Sequence, residues 1–169
     1  MIGANNKSLK NWKLSKENAT QEFNKIVEMF NFNISTEVKE RIVKMNLNGI
    51  EMQTTAGAEM VQADSFIQKI MQGNIKLDEE KKQIVYVLRS PIQSGESEPI
   101  KEFRFGKFTR KMQLASKVKL NECNFAILDD EKQTDLLMAM TSVSDAKIFG
   151  ELEIPEFNDL RMIAGYFFN

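Results

Sequence analysis

Apolar residues in the first part of the chain recur with the period of a helix. Between Ser15 and Phe30, the residues Phe23, Ile26, Val27 and Phe30 fall at i, i+3, i+4 and i+7, one face of an amphipathic helix. Ser35 is placed to cap a second helix in which Val38, Ile42 and Met45 share a face, and Asn48-Gly49 ends it. Thr54 or Thr55 caps a third, whose stripe is Met60, Ala63, Ile67, Ile70 and Met71, with Gly73 as the left-handed residue that closes it. Nothing up to this point reads as strand. Residues 1–79 are therefore expected to form a helical module, joined through LDEEKK to the rest of the chain, with the boundary near Asp78.

At Ile84 the pattern changes. Ile84, Val85, Tyr86, Val87 and Leu88 are β-branched, aromatic or aliphatic, and Pro91 is expected to close this strand. QSGESE supplies a hairpin loop, and in the return strand Phe103 and Phe105 point to one face while Glu102 and Arg104 point to the other. Thr109 then caps a helix with the stripe Met112, Ala115 and Val118, flanked by Leu114, and Asp129 or Asp130 opens a helix that ends in LLMAM. Ser144 or Asp145 starts a short turn. Pro155 begins a last helix with Phe157, Leu160, Ala164, Phe167 and Phe168 facing the core. The expected fold class is α+β: the N-terminal helical module, then a β-hairpin packed with C-terminal helices over residues 80–169.

Composition narrows what such a fold can do. Of 169 residues, 42% are hydrophobic and 28% charged, the range of a folded globular chain. The 23 basic and 24 acidic residues leave a net charge of −1, which argues against nucleic acid or a membrane surface as a partner of the whole molecule. One cysteine, Cys123, excludes an internal disulfide, and the start MIGANNKSLKNWKL lacks the apolar core of a signal peptide, so a cytoplasmic protein is expected. No run approaches the roughly 20 apolar residues that cross a bilayer.

The chain has no histidine, which deletes Ser-His and Cys-His nucleophiles, the usual acid/base near neutrality and imidazole-based zinc sites. Cys123 lies among apolar neighbours with no activating base. The acids Asp129, Asp130, Glu131 and Asp135 lack the alternating ligands and central glycine of a calcium loop and are read as helix capping. No catalytic, cofactor-binding or metal-ligating residue is assigned, and the chain is expected not to be an enzyme and to need no cofactor.

Two features point to binding. From Lys101 to Lys119 the basic residues Lys101, Arg104, Lys107, Arg110, Lys111, Lys117 and Lys119 meet only Glu102, and Phe103, Phe105 and Phe108 are interleaved. Single-strand binders mix cations and rings in this way, whereas a solvated face with intramolecular acidic partners explains the same pattern without a ligand. Of the 10 methionines, Met112, Met138, Met140 and Met162 could line an adaptable apolar groove, although methionine at helical spacing more often fills a core, and the hairpin edge offers a strand to which a partner adds its own. The candidate partner-binding residues are Tyr86, Phe103, Phe105, Met112, Met138 and Met140.

The order of segments from about Lys82 to Asn169 resembles the tail assembly chaperone family of Mu-like and other contractile-tailed phages. The matching segments are VLRSPI, QSGESEP, IKEFRFGKFT and RKMQLASKV, followed by DLLMAMTSVSDAKIFGEL and PEFNDLRMIAGYFF. Lys107-Phe108-Thr109 stands where the family carries an arginine-proline-threonine step, and residues 1–79 have no counterpart in its short members. The resemblance implies a non-enzymatic factor of phage or prophage tail morphogenesis. It would bind the tape measure protein in the bacterial host cytoplasm, with the tail tube protein as a further partner, and self-association is left open. The alternatives are a structural tail or baseplate component and a small nucleic-acid-binding regulator.

Overall fold

The computed structural model describes residues 13–34, 58–118 and 128–168. The expected second helix (Ser35, Val38, Ile42, Met45), the caps Thr54 and Thr55, the side chain of Met60, Lys119 and Cys123 lie outside the described residues. The chain divides into two compact units, residues 1–76 and 77–169. Its elements place it in the α+β class, with helices before and after a three-stranded antiparallel sheet in chain order.

In the first unit, α1 (Lys16–Phe30) starts at Ser15, whose hydroxyl accepts the Asn18 N–H at 3.2 Å, and stops at Asn31, which is left-handed at φ 53°. This serine and asparagine satisfy backbone groups that a helix leaves open at its ends. Packed on α1 is α2 (Ala58–Gln72), and the rings of Phe23 and Phe66 meet at 5.2 Å between their centroids. Ala19, Phe23, Ile26 and Val27 are buried from α1, and Ala63, Phe66, Ile67, Ile70 and Met71 from α2, all at helical spacing; Ala19 and Phe66 fit this period although the expected stripes did not include them. Phe30 is only half-buried and stacks on Phe32 instead.

Gly73 closes α2 at φ +78°, with its N–H on the Ile70 carbonyl and the Asn74 N–H on the Lys69 carbonyl, both at 2.9 Å. This pairing is a Schellman end, which needs the left-handed conformation that glycine adopts at little cost. The same corner takes a second chain segment, because the N–H groups of Lys13 and Leu14 both donate to the Met71 carbonyl. The Lys13 side chain occupies the space a Cβ on Gly73 would fill.

The sheet has the order β1-β2-β3, with β1 at Ile75–Asp78, β2 at Gln83–Ile92 and β3 at Ile100–Phe105. The unit boundary falls inside β1. This strand corrects the sequence expectation, which placed LDEEKK in a connector. Four residues with a single fully buried position, Ile75, are too short for an alternation to be seen. The acidic run is the turn between two strands: Asp78 Oδ1 accepts the Lys81 N–H at 3.1 Å, and Lys82 turns left-handed at φ 53°.

β2 and β3 pair antiparallel in the register Ile84 to Phe105, Tyr86 to Phe103 and Val87 to Glu102. Pro91 does not end the strand as expected. It lies within β2, exposed, in the stretch between Val87 and Ile92 where the register shifts. Proline has no N–H to give a ladder, so such an irregular, solvent-facing stretch is where a strand tolerates it.

Four helices come after the sheet among the described residues: α3 (Arg110–Ser116), α4 (Asp130–Thr141), α5 (Ala146–Gly150) and α6 (Ile154–Tyr166). Thr109, Asp129 and Asp145 cap the first three through their side chains, and Pro155 lies in the first turn of α6, all as the residue types dictate.

The buried faces of α3 and α6 differ from the expected stripes. In α3 the buried residues are Gln113 and Ser116, whereas Met112 is half-buried, Ala115 exposed and Leu114 64% exposed. Gln113 Nε2 donates to the Val118 carbonyl at 3.2 Å, and the Ser116 hydroxyl donates to the Gln113 carbonyl at 2.7 Å. These bonds satisfy the polar side chains in place and leave Leu114 outside. In α6, Glu156, Asp159, Leu160, Ile163, Ala164 and Tyr166 are buried, while Phe157, Phe167 and Phe168 are half-buried. Among the described residues no helix is long and apolar enough to cross a membrane.

Candidate functional site

The two strands of the hairpin bury their apolar face in the protein itself. Tyr86, Phe103 and Phe105 are at most 1% exposed, and Met140 on α4 is 2% exposed. The Phe103 ring lies 5.3 Å from that of Phe149 on α5. Tyr86, Phe103, Phe105 and Met140, expected as partner contacts, are thus covered within this fold: alternation and helical spacing mark a face that is covered, without saying by what. Met112 and Met138 are half-buried and sit on different helices, α3 and α4.

Behind the hairpin lies a polar pairing that hydrophobic patterning does not reveal. The Tyr86 hydroxyl donates to Asp159 Oδ2 at 2.8 Å, and the Arg89 backbone N–H donates to Glu156 Oε1 at 2.9 Å. Both carboxylates are buried on α6, so α6 presents an acid-bearing face to β2 and turns Phe157 outward. Burial, and then the bond to Asp159, drive the Tyr86 phenol far above its ordinary range, because its anion would form in an apolar site beside a carboxylate. This tyrosine is a fixed donor at neutral pH.

The basic segment divides in two. Arg104 Nη1 lies 2.8 Å from Asp78 Oδ2 and Nη2 lies 2.6 Å from Glu102 Oε1, so this guanidinium bridges β1 and β3. The Lys81 N–H, and after it Arg104, hold the Asp78 carboxyl below its usual value. Lys107, Arg110, Lys111 and Lys117 are all exposed and take part in no ion pair among the described residues. Arg110 and Lys111 open α3 at the end where the helix dipole disfavours cations, so they do not serve its stability.

Among the described residues of the second unit, a larger and a smaller groove open to solvent. The larger, of about 430 Å³, runs between α4, α5 and α6, with Phe149, Leu152, Ile154 and Phe157 on its walls and Asp130 and Arg161 at its polar margin. Ile154 is 79% exposed and stands on the groove beside Leu152 and Phe157. Arg161 lies over the Phe157 ring at 5.9 Å, and both side chains line the groove. The smaller groove, of about 290 Å³, is lined by Arg89, Gln93, Glu151, Glu153 and Glu156. Its one ion pair, Arg89 to Glu153 at 3.9 Å, is solvent-exposed and holds little energy.

The chemistry of the larger groove is that of contact. Apolar walls with a few polar groups at the rim bind another polypeptide by removing water from both. None of the predicted partner residues lines it. The signal that points to it is the local run Leu152, Ile154, Phe157, apolar residues set between the acids of ELEIPEF, where a loop enters a helix and a continuous core stripe does not form. Among the described residues no cluster of three or more acids, cysteines or histidines is placed to hold a metal ion. No protein-family model matches this chain, and neither a curated protein nor a solved structure matches it.

Proposed function

We propose that this chain is a non-enzymatic chaperone of phage or prophage tail assembly that holds the tape measure protein in the host cytoplasm until tube subunits replace it. The observation that carries this reading is the exposed aliphatic lip of Ile154 on the α4, α5 and α6 groove, with Leu152 and Phe157 beside it. An amphipathic client helix would lay its apolar stripe against these residues, while Asp130 and Arg161 meet its polar flanks. The order of strand, turn, strand and capped helices over residues 83–166 supports the same reading, being the order on which the family resemblance rests.

Such a holder works by reversible apolar contact. Its affinity must exceed the client's tendency to self-associate and fall below that of the tube subunits. Co-expression with the tape measure protein tests it: the client is expected to become soluble and to co-purify with this chain. Ile154→Asp, at an exposed position, is expected to abolish co-purification while leaving the melting temperature of the chaperone unchanged. An insoluble client with no co-purification sinks the proposal. Mass spectrometry of finished particles is expected to find no copy of the chain, and its retention there would assign it instead to the tail or baseplate structure.

A further inference from the structure

We propose that Leu114 and the cations around it seat in the α4, α5 and α6 groove of a second copy of this chain, so that the protein associates with itself through unlike surfaces. Leu114 is 64% exposed and forms an aliphatic knob on α3. Lys107, Arg110, Lys111 and Lys117 flank it in sequence, and the stretch from Lys107 to Lys117 contains no acid. All four are exposed and take no ion-pair partner among the described residues.

The counterpart lies on the same chain. Asp130 lines the groove, and its neighbours Asp129 and Glu131, together with Asp135, are exposed, likewise with no ion pair among the described residues. A group of cations beside an aliphatic knob thus meets an apolar groove of about 430 Å³ whose charged lining residues are Asp130 and Arg161, with the further acids Asp129, Glu131 and Asp135 close to Asp130 in sequence. A net charge of −1 adds no long-range repulsion between copies.

Two other occupants fit the knob less well. Single-stranded nucleic acid stacks its bases on exposed rings, but Phe103 and Phe105 are buried and the Phe108 ring meets Phe168 edge-on at 4.8 Å. An anionic membrane needs a broad apolar face beside its cations, whereas this seven-residue helix offers one large apolar side chain to solvent. Because knob and groove are different surfaces, each bound copy presents a further free groove. Association then continues past two copies unless a ring closes.

Light scattering on the purified full chain, with no client present, tests this proposal separately from the client-holding function. The mass is expected to rise above the 19.4 kDa of one chain as concentration increases at low salt, and to return to it when salt screens the charges. Leu114→Asp, and the milder Leu114→Gln, are expected to stay at one chain while keeping the helical circular dichroism of the wild type. R110E/K111E and D130K/E131K are each expected to be monomeric alone and to associate when mixed. A wild type that stays at 19.4 kDa at every concentration overturns the proposal, as does association that Leu114→Asp leaves intact or a mixture that remains monomeric. Binding of oligo-dT or phosphatidylserine vesicles by a persistently monomeric chain that Leu114→Asp abolishes would assign the knob to those ligands instead.

Discussion

The two units are held by different kinds of interaction. Described by itself, the α1 and α2 pair meets through apolar side chains, with Phe23 and Phe66 fully buried and ring to ring. Such packing fixes which faces meet but tolerates small sliding. In the unit of residues 77–169, directional bonds from Tyr86 and the Arg89 N–H end on Asp159 and Glu156, and set the position of α6 on β2 to within a hydrogen bond. An apolar interface supplies free energy, and a buried polar pairing supplies a unique register at the risk of a large loss when one member is removed.

The largest effects test the apolar side of this contrast. Phe66→Ala is expected to destabilise the first unit by about 3–5 kcal/mol in urea unfolding, and Phe103→Ala the second by a similar amount. Phe66→Leu, which keeps most of the volume, is expected to cost less than about 1.5 kcal/mol.

Next come the directional bonds. Asp159→Ala leaves the Tyr86 hydroxyl buried without this acceptor and is expected to cost about 1–3 kcal/mol. The double variant Tyr86→Phe with Asp159→Leu is expected to lose less than the sum of its singles, because removing both partners leaves neither polar group buried alone. Gly73→Ala is expected to cost about 1 kcal/mol, through a left-handed backbone that alanine disfavours; the flexible Lys13 side chain can move aside.

The smallest effects appear as slopes against pH. The Tyr86 phenol is raised in the folded chain above its ordinary value near 10. Its stabilising contribution is therefore complete below that value and declines as pH rises past it, because the unfolded chain releases the proton while the folded chain keeps it. Asp78 is lowered below its ordinary 3.8, so its contribution is complete above that value and is lost as pH falls through the folded-state pKa. Tyr86→Phe is expected to flatten the alkaline limb of a stability profile, and Asp78→Asn the acid limb, each leaving the other unchanged.

Legibility in the sequence divides along the same line. Period and capping chemistry mark α1 from Ser15 to Phe30, the end of α2 at Gly73, the hairpin alternation at Phe103 and Phe105, and the starts of α3, α4 and α5 at Thr109, Asp129 and Asp145. Each is a local rule read within a few residues. The inward face of α6 is not local, since Glu156 and Asp159 look like solvent-facing acids until β2 supplies their donors from 67 and 73 residues away.

β1 escaped because its four residues adjoin a charged turn. The groove was not legible in the sequence for a related reason. Apolar spacing identifies residues that will be covered, and Tyr86, Phe103, Phe105 and Met140 are covered by their own chain. Exposed apolar residues such as Ile154 and Leu114 are recognised only once the covering is known.

The bond from Tyr86 to Asp159 spans 73 positions, whereas β2 and β3 pair across a short loop. During synthesis the ribbon can zip as soon as Phe105 is clear of the ribosome, but its inner side waits for the last helix to emerge. At about 5–20 residues per second, the delay from Phe105 to Asp159 is on the order of several seconds. Through that interval the nascent chain displays a greasy ribbon of the sort that chaperones recognise, so this protein would begin life in need of shelter.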